Sequence, residues 1–372
     1  MTHDVIVIGG GPGGSTAAWR LASAGARTLV LDGAVFPRVK LCAGWVTRRV
    51  MAALELDPAA YPLTLQPFSR AALELADDAV ETSWPKTVSY GIVRREFDHF
   101  LLERARSAGA DVRDGVRVRA VGRGGDETAV ETAAGPFSAP IVIGAGGHHC
   151  PVARAFGEIS PEEMVVVTRE SETRLGRDRL AEFAPRPGVP ELFPEPDLNG
   201  YGWYFPKGDF LNVGIGAVDG GRGLHARAER FLERLHASGR LPGDLPLVPF
   251  RGHAYTVRVA APRRLAGEGI LLVGDAAGLA RNVSGEGIGP AVESGNLAAA
   301  AAFRRLGGTG GPEVADEYRD AIERRFGRGA PRWAGPLRRA VPASWVARLG
   351  ELACRNGWLR RRLVFEGAFG MG

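Results

Sequence analysis

Four apolar residues, Val5-Ile-Val-Ile8, run straight into Gly9-Gly-Gly-Pro-Gly-Gly14, and a helical stretch follows from Ser15 to Ala24. An apolar run without polar alternation suits a strand covered on both faces. The glycines have separate tasks. Gly9 permits a tight turn, Gly11 lets a pyrophosphate approach the backbone, and Gly14 lets the helix lie close against the strand. Gly25 ends the helix, Thr28-Leu-Val-Leu31 is the next strand, and Asp32 closes it 18 residues after Gly14. This is a βαβ unit whose acid is placed to accept hydrogen bonds from a ribose 2′-hydroxyl, which disfavours a 2′-phosphate there. Pro12, Gly13 and Ser15 complete the turn. The helix N-terminus behind it offers unpaired N–H groups and a positive dipole end to phosphates.

With 372 residues, 45% of them apolar and 24% charged, the chain is expected to form two globular domains. Cys42, Cys150 and Cys354 form no CxxC pair, so zinc and structural disulfides are not expected and a reducing compartment is. No apolar run reaches the ~18 residues of a membrane span, and the first strand begins almost at once. A cytoplasmic location without a signal peptide is therefore expected. The net charge is +5, but residues 324–362 hold eleven arginines against the single acid Glu351. That segment carries +10 and the remainder −5. A mildly acidic body with a basic tail is not a nucleic-acid binder.

Further along, Ile141-Val-Ile143 and Ile270-Leu-Leu-Val273 also run into glycines, at Gly144-Ala-Gly-Gly147 and Gly274-Asp275. Residues 163–218 differ, with short β-rich runs separated by prolines, as in a largely antiparallel sheet. The expected fold is α/β: a Rossmann-like nucleotide domain, an inserted β-rich (α+β) substrate domain and a helical C-terminal tail. The expected boundaries are 1–60, 91–160 and 262–310 for the first, 61–90 and 161–261 for the second, and 311–372 for the tail.

The fingerprint alone does not separate NAD from FAD. The segment from Gly274 to Gly289 favours FAD. Asp275, at a strand tip, suits the hydroxyls of a ribityl chain. Gly285, Gly287 and Gly289, with Ile288, leave backbone N–H groups at the start of a long Ala-rich helix, suited to the negative charge of a reduced isoalloxazine.

Four blocks together resemble the flavoprotein-hydroxylase superfamily of p-hydroxybenzoate-hydroxylase-like FAD enzymes. They are Gly9–Gly14 with Asp32, Arg94-Arg-Glu-Phe-Asp98, Gly144–Gly147 and Gly274–Gly289. Aromatic hydroxylases, flavin-dependent halogenases and geranylgeranyl reductases share that fold. The resemblance implies that Arg94 lies near the flavin. Gly146 departs from it, since many members have aspartate there, whereas Arg154 matches.

Two further blocks are similar to the geranylgeranyl-reductase branch: Lys40-Leu-Cys42-Ala43-Gly44 and Tyr201-Gly-Trp203-Tyr-Phe205-Pro206. The halogenase Gly-Glu-Ser block is absent. Alternation along a strand would project Tyr201, Trp203 and Phe205 from one face. They suit the wall of a substrate channel, or ordinary packing against a second layer. Cys42 is a candidate proton donor or flavin contact, with Arg38 and Lys40 to lower its pKa if they are close; a free cysteine also serves as a small buried hydrophobe. Asn282 stands where these families usually have proline, so a place near the flavin C4a edge is implied for it.

The candidate catalytic residues are thus Cys42, Lys40 and Asn282. The candidate cofactor contacts are Gly9, Gly11, Pro12, Gly13, Gly14, Ser15, Asp32, Arg38, Cys42, Ala43, Arg94, Gly146, Gly274, Asp275, Gly285, Gly287 and Ile288. FAD is the expected cofactor. NAD(P)H, or another donor such as a reductase or ferredoxin, would supply electrons. No metal is expected, the pair His148-His149 having no third ligand.

The expected activity is reduction of a C=C bond, or a related hydride transfer, in a hydrophobic prenyl, polyene or aromatic substrate. The alternatives are a monooxygenase of a hydrophobic metabolite acting through a C4a-hydroperoxide, and an FAD-containing electron-transfer or membrane-associated protein. Trp345, Leu349, Leu352, Leu359 and Leu363 recur at near-helical spacing beside Arg348, Arg355 and Arg362. That pattern predicts one amphipathic basic helix, packed on the body or in peripheral contact with anionic lipid through 324–362.

Overall fold

A computed structural model of the chain describes residues 3–75, 78–124, 126–156, 159, 163–196, 199–218, 221–257, 263–267, 269–308, 313–328 and 350–371. All four residues of Val5–Ile8 are buried, as their unbroken apolar character requires. The strand lies between Thr28–Asp32 and Ile141–Gly144, parallel to both. Asp111–Asp114 and Ile270–Leu272 extend this sheet, again in parallel, and Ala266–Gly267 forms an antiparallel edge of the six-stranded whole. A meander of Val118–Gly124, Glu127–Thr132 and Gly135–Ala139 accompanies it.

Two helices determine what this sheet can hold. Pro12–Ser23 follows the first strand, and Ile288–Leu306 crosses it closely. A Cβ on Gly295 would come within 2.4 Å of the Gly13 carbonyl oxygen, and one on Gly13 within 2.9 Å of the Ala291 oxygen. The backbones touch because neither glycine has a side chain. Both helix N-termini are thereby brought to one place.

The second large sheet has seven strands in the order Arg251–Thr256, Val165–Arg174, Phe210–Ala217, Gly200–Lys207, Glu191–Pro194, Arg70–Glu74 and Ala79–Ser83. All neighbours are antiparallel except Glu191–Pro194 with Arg70–Glu74. Helix Leu224–Ala237 covers one face. Its buried Leu224, Ala228, Phe231 and Leu235 fall at helical spacing and pack on Tyr204, Leu211, Val213 and Ile215. A small sheet of Trp45–Thr47, Ser89–Ile92 and Leu65–Phe68 lies between the two large ones in the chain path.

Helix Glu313–Phe326 joins the nucleotide-sheet core through Val314, Tyr318 and Ile322, and the Tyr318 hydroxyl donates to the Leu272 carbonyl at 2.6 Å. The terminal segment differs from the single helix that its periodicity predicts. Residues 350–355 are helical, and the chain then restarts at Asn356, whose Oδ1 accepts from the Trp358 and Leu359 amides. Asparagine followed by glycine is a start signal strong enough to interrupt the periodic run. Arg360–Ala368 continues as a wider, π-type helix. Trp345, Arg348 and Leu349 lie outside the described residues.

One side of this terminus packs on the body. Phe365 and Met371 are buried with Trp84, and Arg360 donates to Thr82 Oγ1 at 2.7 Å and to the Glu81 carbonyl at 2.9 Å. The other side leaves Leu352, Trp358 and Leu363 exposed. Among the described residues no helix is long and apolar enough to cross a membrane.

Candidate functional site

A cavity of about 940 Å³ opens between the nucleotide sheet and the uncovered face of the seven-stranded sheet. Gly9, Gly11, Pro12, Gly13, Asp32, Arg38, Lys40, Cys42, Ala43, Arg94, Gly146, Tyr201, Trp203, Phe205, Gly274, Asp275, Asn282, Gly285, Gly287 and Ile288 all line it. Of the residues singled out from sequence for the cofactor, Gly14 and Ser15 face elsewhere, as does Gly289, whose N–H donates to Glu286 Oε1 at 2.9 Å. A Cβ on Gly14 would meet the Gly9 carbonyl oxygen at 1.9 Å, and the Ser15 hydroxyl donates to the Gly10 carbonyl at 2.9 Å. Both close the turn behind the cavity wall.

The wall beside that turn is a cradle. Gly9 has φ +113°, and a Cβ there would lie 2.4 Å from the Ala145 oxygen, so only glycine fits. Gly11 is different: its nearest neighbour would be Arg38 Nη2 at 3.5 Å, across open cavity. Gly11 caps helix Pro12–Ser23 without a side-chain hydrogen bond, and Gly287 caps Ile288–Leu306 in the same way. Two positive helix ends therefore face one space. Asp32 is oriented by its own backbone, with Oδ2 accepting from Gly10 N at 2.7 Å and Oδ1 from Ala34 N at 2.8 Å.

A cationic group stands next to the cradle. The buried Arg94 guanidinium makes a two-pronged pair with Asp98, both bonds 2.7 Å, and Asp98 also lies 3.2 Å from Arg38 Nη2. Lys40 Nζ sits 2.6 Å from His253 Nε2. Burial and the nearby Arg94 and Arg38 charges lower Lys40 to about 8. Burial, then Lys40 and Arg94, lowers His253 to about 3. At neutral pH the lysine thus donates to an uncharged imidazole. Burial raises the Asp275 carboxyl, opposed by Lys40, Arg94 and Arg263.

The Cys42 loop is held from below. Lys207 is fully buried, and its Nζ donates to the Ala43 and Ile92 carbonyls, each at 2.7 Å, and pairs with Glu172 Oε1 at 2.6 Å. Asn212 Nδ2 donates to the Cys42 carbonyl and to Glu172 Oε1, both at 3.3 Å, while its Oδ1 accepts from Trp203 Nε1 at 2.7 Å. Gly44, with φ +70°, leaves room for this anchor, because a Cβ there would lie 2.5 Å from Lys207 Nζ.

Tyr201, Trp203 and Phe205 form an aromatic wall, as alternation along their strand requires. The Trp203 indole lies over Gly214, where a Cβ would fall 2.3 Å from the ring. Phe205 meets Trp45 edge to face at 5.0 Å, and Phe369 from the C-terminal segment meets Trp45 at 5.2 Å. The Tyr201 hydroxyl is spent on the Ser284 carbonyl at 2.5 Å, tying this wall to the loop before Ile288. Asn282 and its neighbour Val283 are exposed at the rim.

This set fits FAD. The acid, the open Gly11 and the helix ends form a polar, phosphate-compatible half, and the wall of rings forms an apolar half. Comparison with known proteins agrees. The FAD binding domain family matches residues 2–328. A digeranylgeranylglycerophospholipid reductase of Methanopyrus kandleri is 31% identical over 322 residues, covering 82% of this chain and 82% of its own length. A menaquinone reductase of Mycobacterium tuberculosis is 29% identical over 365 residues, covering 88% and 81%. The crystal structure of a geranylgeranyl bacteriochlorophyll reductase-like protein of Thermoplasma acidophilum superposes with TM-score 0.77 at 23% identity, covering 97% and 98% of the two chains. A flavin-dependent halogenase shares the fold with TM-score 0.66 over 88% of this chain and 62% of its own.

The chain belongs to the FAD binding domain family and is an FAD-dependent oxidoreductase. Within that family it belongs to the geranylgeranyl-reductase-like branch.

Sequence reasoning did not find His253, Tyr255 and Glu170, which also line the cavity, or the Lys207–Glu172–Asn212 anchor. One signal was available. Only Lys40, Lys86 and Lys207 are lysines among 47 basic residues, and two of the three are at this site.

Proposed function

We propose that this protein reduces carbon–carbon double bonds of an isoprenoid chain, with Cys42, Lys40 and the aromatic wall at the reacting end. The observation that carries the reading is the Tyr201–Trp203–Phe205 wall. Its rings line the same cavity as the Gly11 cradle and the Lys40–Gly44 loop. A wall of this kind gives an extended apolar chain contact area without polar groups to desolvate. The named relatives, a digeranylgeranylglycerophospholipid reductase and a menaquinone reductase, support it.

Bound FAD supplies a hydride once it has been reduced. In this reading Gly9, Gly11, Pro12, Gly13 and Asp32 hold its nucleotide half. Arg38, Cys42, Ala43, Arg94, Gly146, Gly274, Asp275, Gly285, Gly287 and Ile288 surround the rest, with Asn282 at the rim. Gly14 and Ser15 act by closing the turn. Arg94, fixed by Asp98, offers a positive charge that does not move, and the two helix ends add to it. Phe369 and Trp45 close the apolar end against water.

The division into a nucleotide domain (1–60, 91–160 and 262–310), a substrate domain (61–90 and 161–261) and a terminal segment belongs to the same proposal. So do a cytoplasmic location, an external donor such as NAD(P)H, a reductase or ferredoxin, and peripheral membrane contact through 324–362. Exposed Leu352, Trp358 and Leu363 beside Arg355 and Arg362 support that contact. The test is to incubate the FAD-loaded protein, dithionite and a digeranylgeranyl glycerophospholipid in vesicles. The lipid is expected to gain two hydrogens per reduced double bond by mass spectrometry. An unchanged lipid mass would refute the assignment.

A further inference from the structure

Glu170 lies at the middle of strand Val165–Arg174, on the face shared with Val166 and Thr168, and all three line the cavity. It is 2% exposed, and its Oε1 is buried without a hydrogen-bond partner. It stands in register with Gly214 on one side and Arg251 on the other. Because Gly214 has no side chain, the carboxyl stem and the Trp203 ring share the space above it. A Cβ on Gly214 would lie 2.7 Å from Glu170 Cβ and 2.3 Å from the indole. The Glu170 stem therefore packs beside the ring at the centre of the aromatic wall.

Its charged surroundings are mixed. Lys207, on the strand Gly200–Lys207, is already committed to Glu172 and two carbonyls. Lys40, 2.6 Å from His253 on the neighbouring strand, and Arg94 attract, while Glu172, on the same strand, repels. His253 on the edge strand is uncharged at neutral pH. Burial outweighs the attractions and pushes Glu170 up to about 8. An ionised carboxylate with an empty oxygen would be costly here, and a protonated one costs far less.

We propose that Glu170 is a catalytic acid that delivers a proton to the isoprenoid double bond. This rests on the reading of the activity given above. In the balanced step, the π bond breaks and one carbon accepts a hydride, with its electron pair, from bound reduced FAD. The other carbon takes the proton from the Glu170 O–H bond. The carboxylate left behind recovers a proton from water. Donation to carbon suits an acid that holds its proton at neutral pH and faces an apolar wall.

The test has two arms. The first is infrared difference spectroscopy of the wild-type protein against Glu170→Gln, without substrate, from pH 5 to 10. A protonated carboxyl C=O band that disappears near pH 8 is expected in the wild type alone. A carboxylate band throughout overturns the proposal, whatever the activity. The second arm measures reduction of a digeranylgeranyl glycerophospholipid with dithionite as the donor. Glu170→Gln is expected to lower kcat by about 10²–10⁴-fold with KM little changed, while dithionite bleaches its flavin as in the wild type. Glu170→Asp, which keeps the acid, is expected to recover part of the loss.

A Glu170→Gln kcat within about threefold of wild type overturns the proposal, on the scale that general acids contribute. A raised KM at unchanged kcat also overturns it, because the residue would then only bind substrate. A wild-type protein that reduces no isoprenoid, with Glu170 still protonated, overturns the activity reading and the proton delivery with it.

Discussion

Replacing Lys207 by methionine keeps most of the side-chain volume and removes the charge. The ammonium is completely buried and serves three acceptors at 2.6–2.7 Å: Glu172 Oε1 and the carbonyls of Ala43 and Ile92. The Lys207→Met protein leaves a largely buried carboxylate and two carbonyls without their donor. Breaking a buried pair from one side costs about 3–5 kcal/mol. Glu172 is 22% exposed and keeps Asn212 as a donor, so the expected cost is nearer the lower figure, about 3 kcal/mol. That corresponds to a fall in Tm of about 4 °C for a chain of this size.

The damage is not confined to stability. The Ala43 carbonyl is one of the two points from which this network holds the Cys42 loop, so FAD affinity is expected to fall as well. Urea denaturation and fluorescence titration with FAD measure the two effects. Lys207→Met/Glu172→Gln, which removes the stranded charge, is expected to be more stable than Lys207→Met alone. A Lys207→Met protein within about 1 kcal/mol of wild type, with unchanged FAD affinity, would refute the anchoring role.

Two other perturbations separate folding from binding. Gly11→Ala meets only Arg38 at 3.5 Å and projects into the cavity, so it is expected to weaken FAD binding at nearly wild-type stability. Gly14→Ala drives a Cβ to 1.9 Å from the Gly9 oxygen and is expected to reduce soluble, folded yield; similar behaviour of the two variants would contradict the cradle geometry. The pH dependence of stability has a definite sign. Folded Glu170 holds its proton up to about 8, whereas an unfolded glutamate loses it near 4.5, so this residue's contribution falls as pH rises through that window. His253, lowered to about 3 from 6.5, contributes the opposite slope, with stability lost on acidification between those values. Between about pH 6.5 and 8 the two separate, and Glu170→Gln is expected to flatten the decline seen in wild-type urea midpoints.

The nucleotide half of the molecule was legible in sequence because its signals are local. Val5–Ile8, the glycines and Asp32 lie within one βαβ unit, and each residue is explained by a neighbour a few positions away or by the next strand. The Gly274–Gly289 segment and the alternating Tyr201, Trp203 and Phe205 are local in the same sense. Glu170 was hidden by an inverted pattern. Its strand buries Thr168 and Glu170, polar residues that alternation assigns to solvent, because that face borders the cavity. Lys207 was hidden by distance, since its partners lie at positions 43, 92 and 172. The terminal helix was misread as continuous because periodicity outweighed the start signal at Asn356-Gly357.

The most direct measurement is an anaerobic single turnover. The FAD-loaded protein is reduced with one equivalent of dithionite and mixed with a digeranylgeranyl glycerophospholipid, and the visible flavin band is followed. The account predicts that the band returns without oxygen, in proportion to double bonds reduced. A band that stays bleached until air is admitted, with the lipid unchanged or oxygenated, would contradict it.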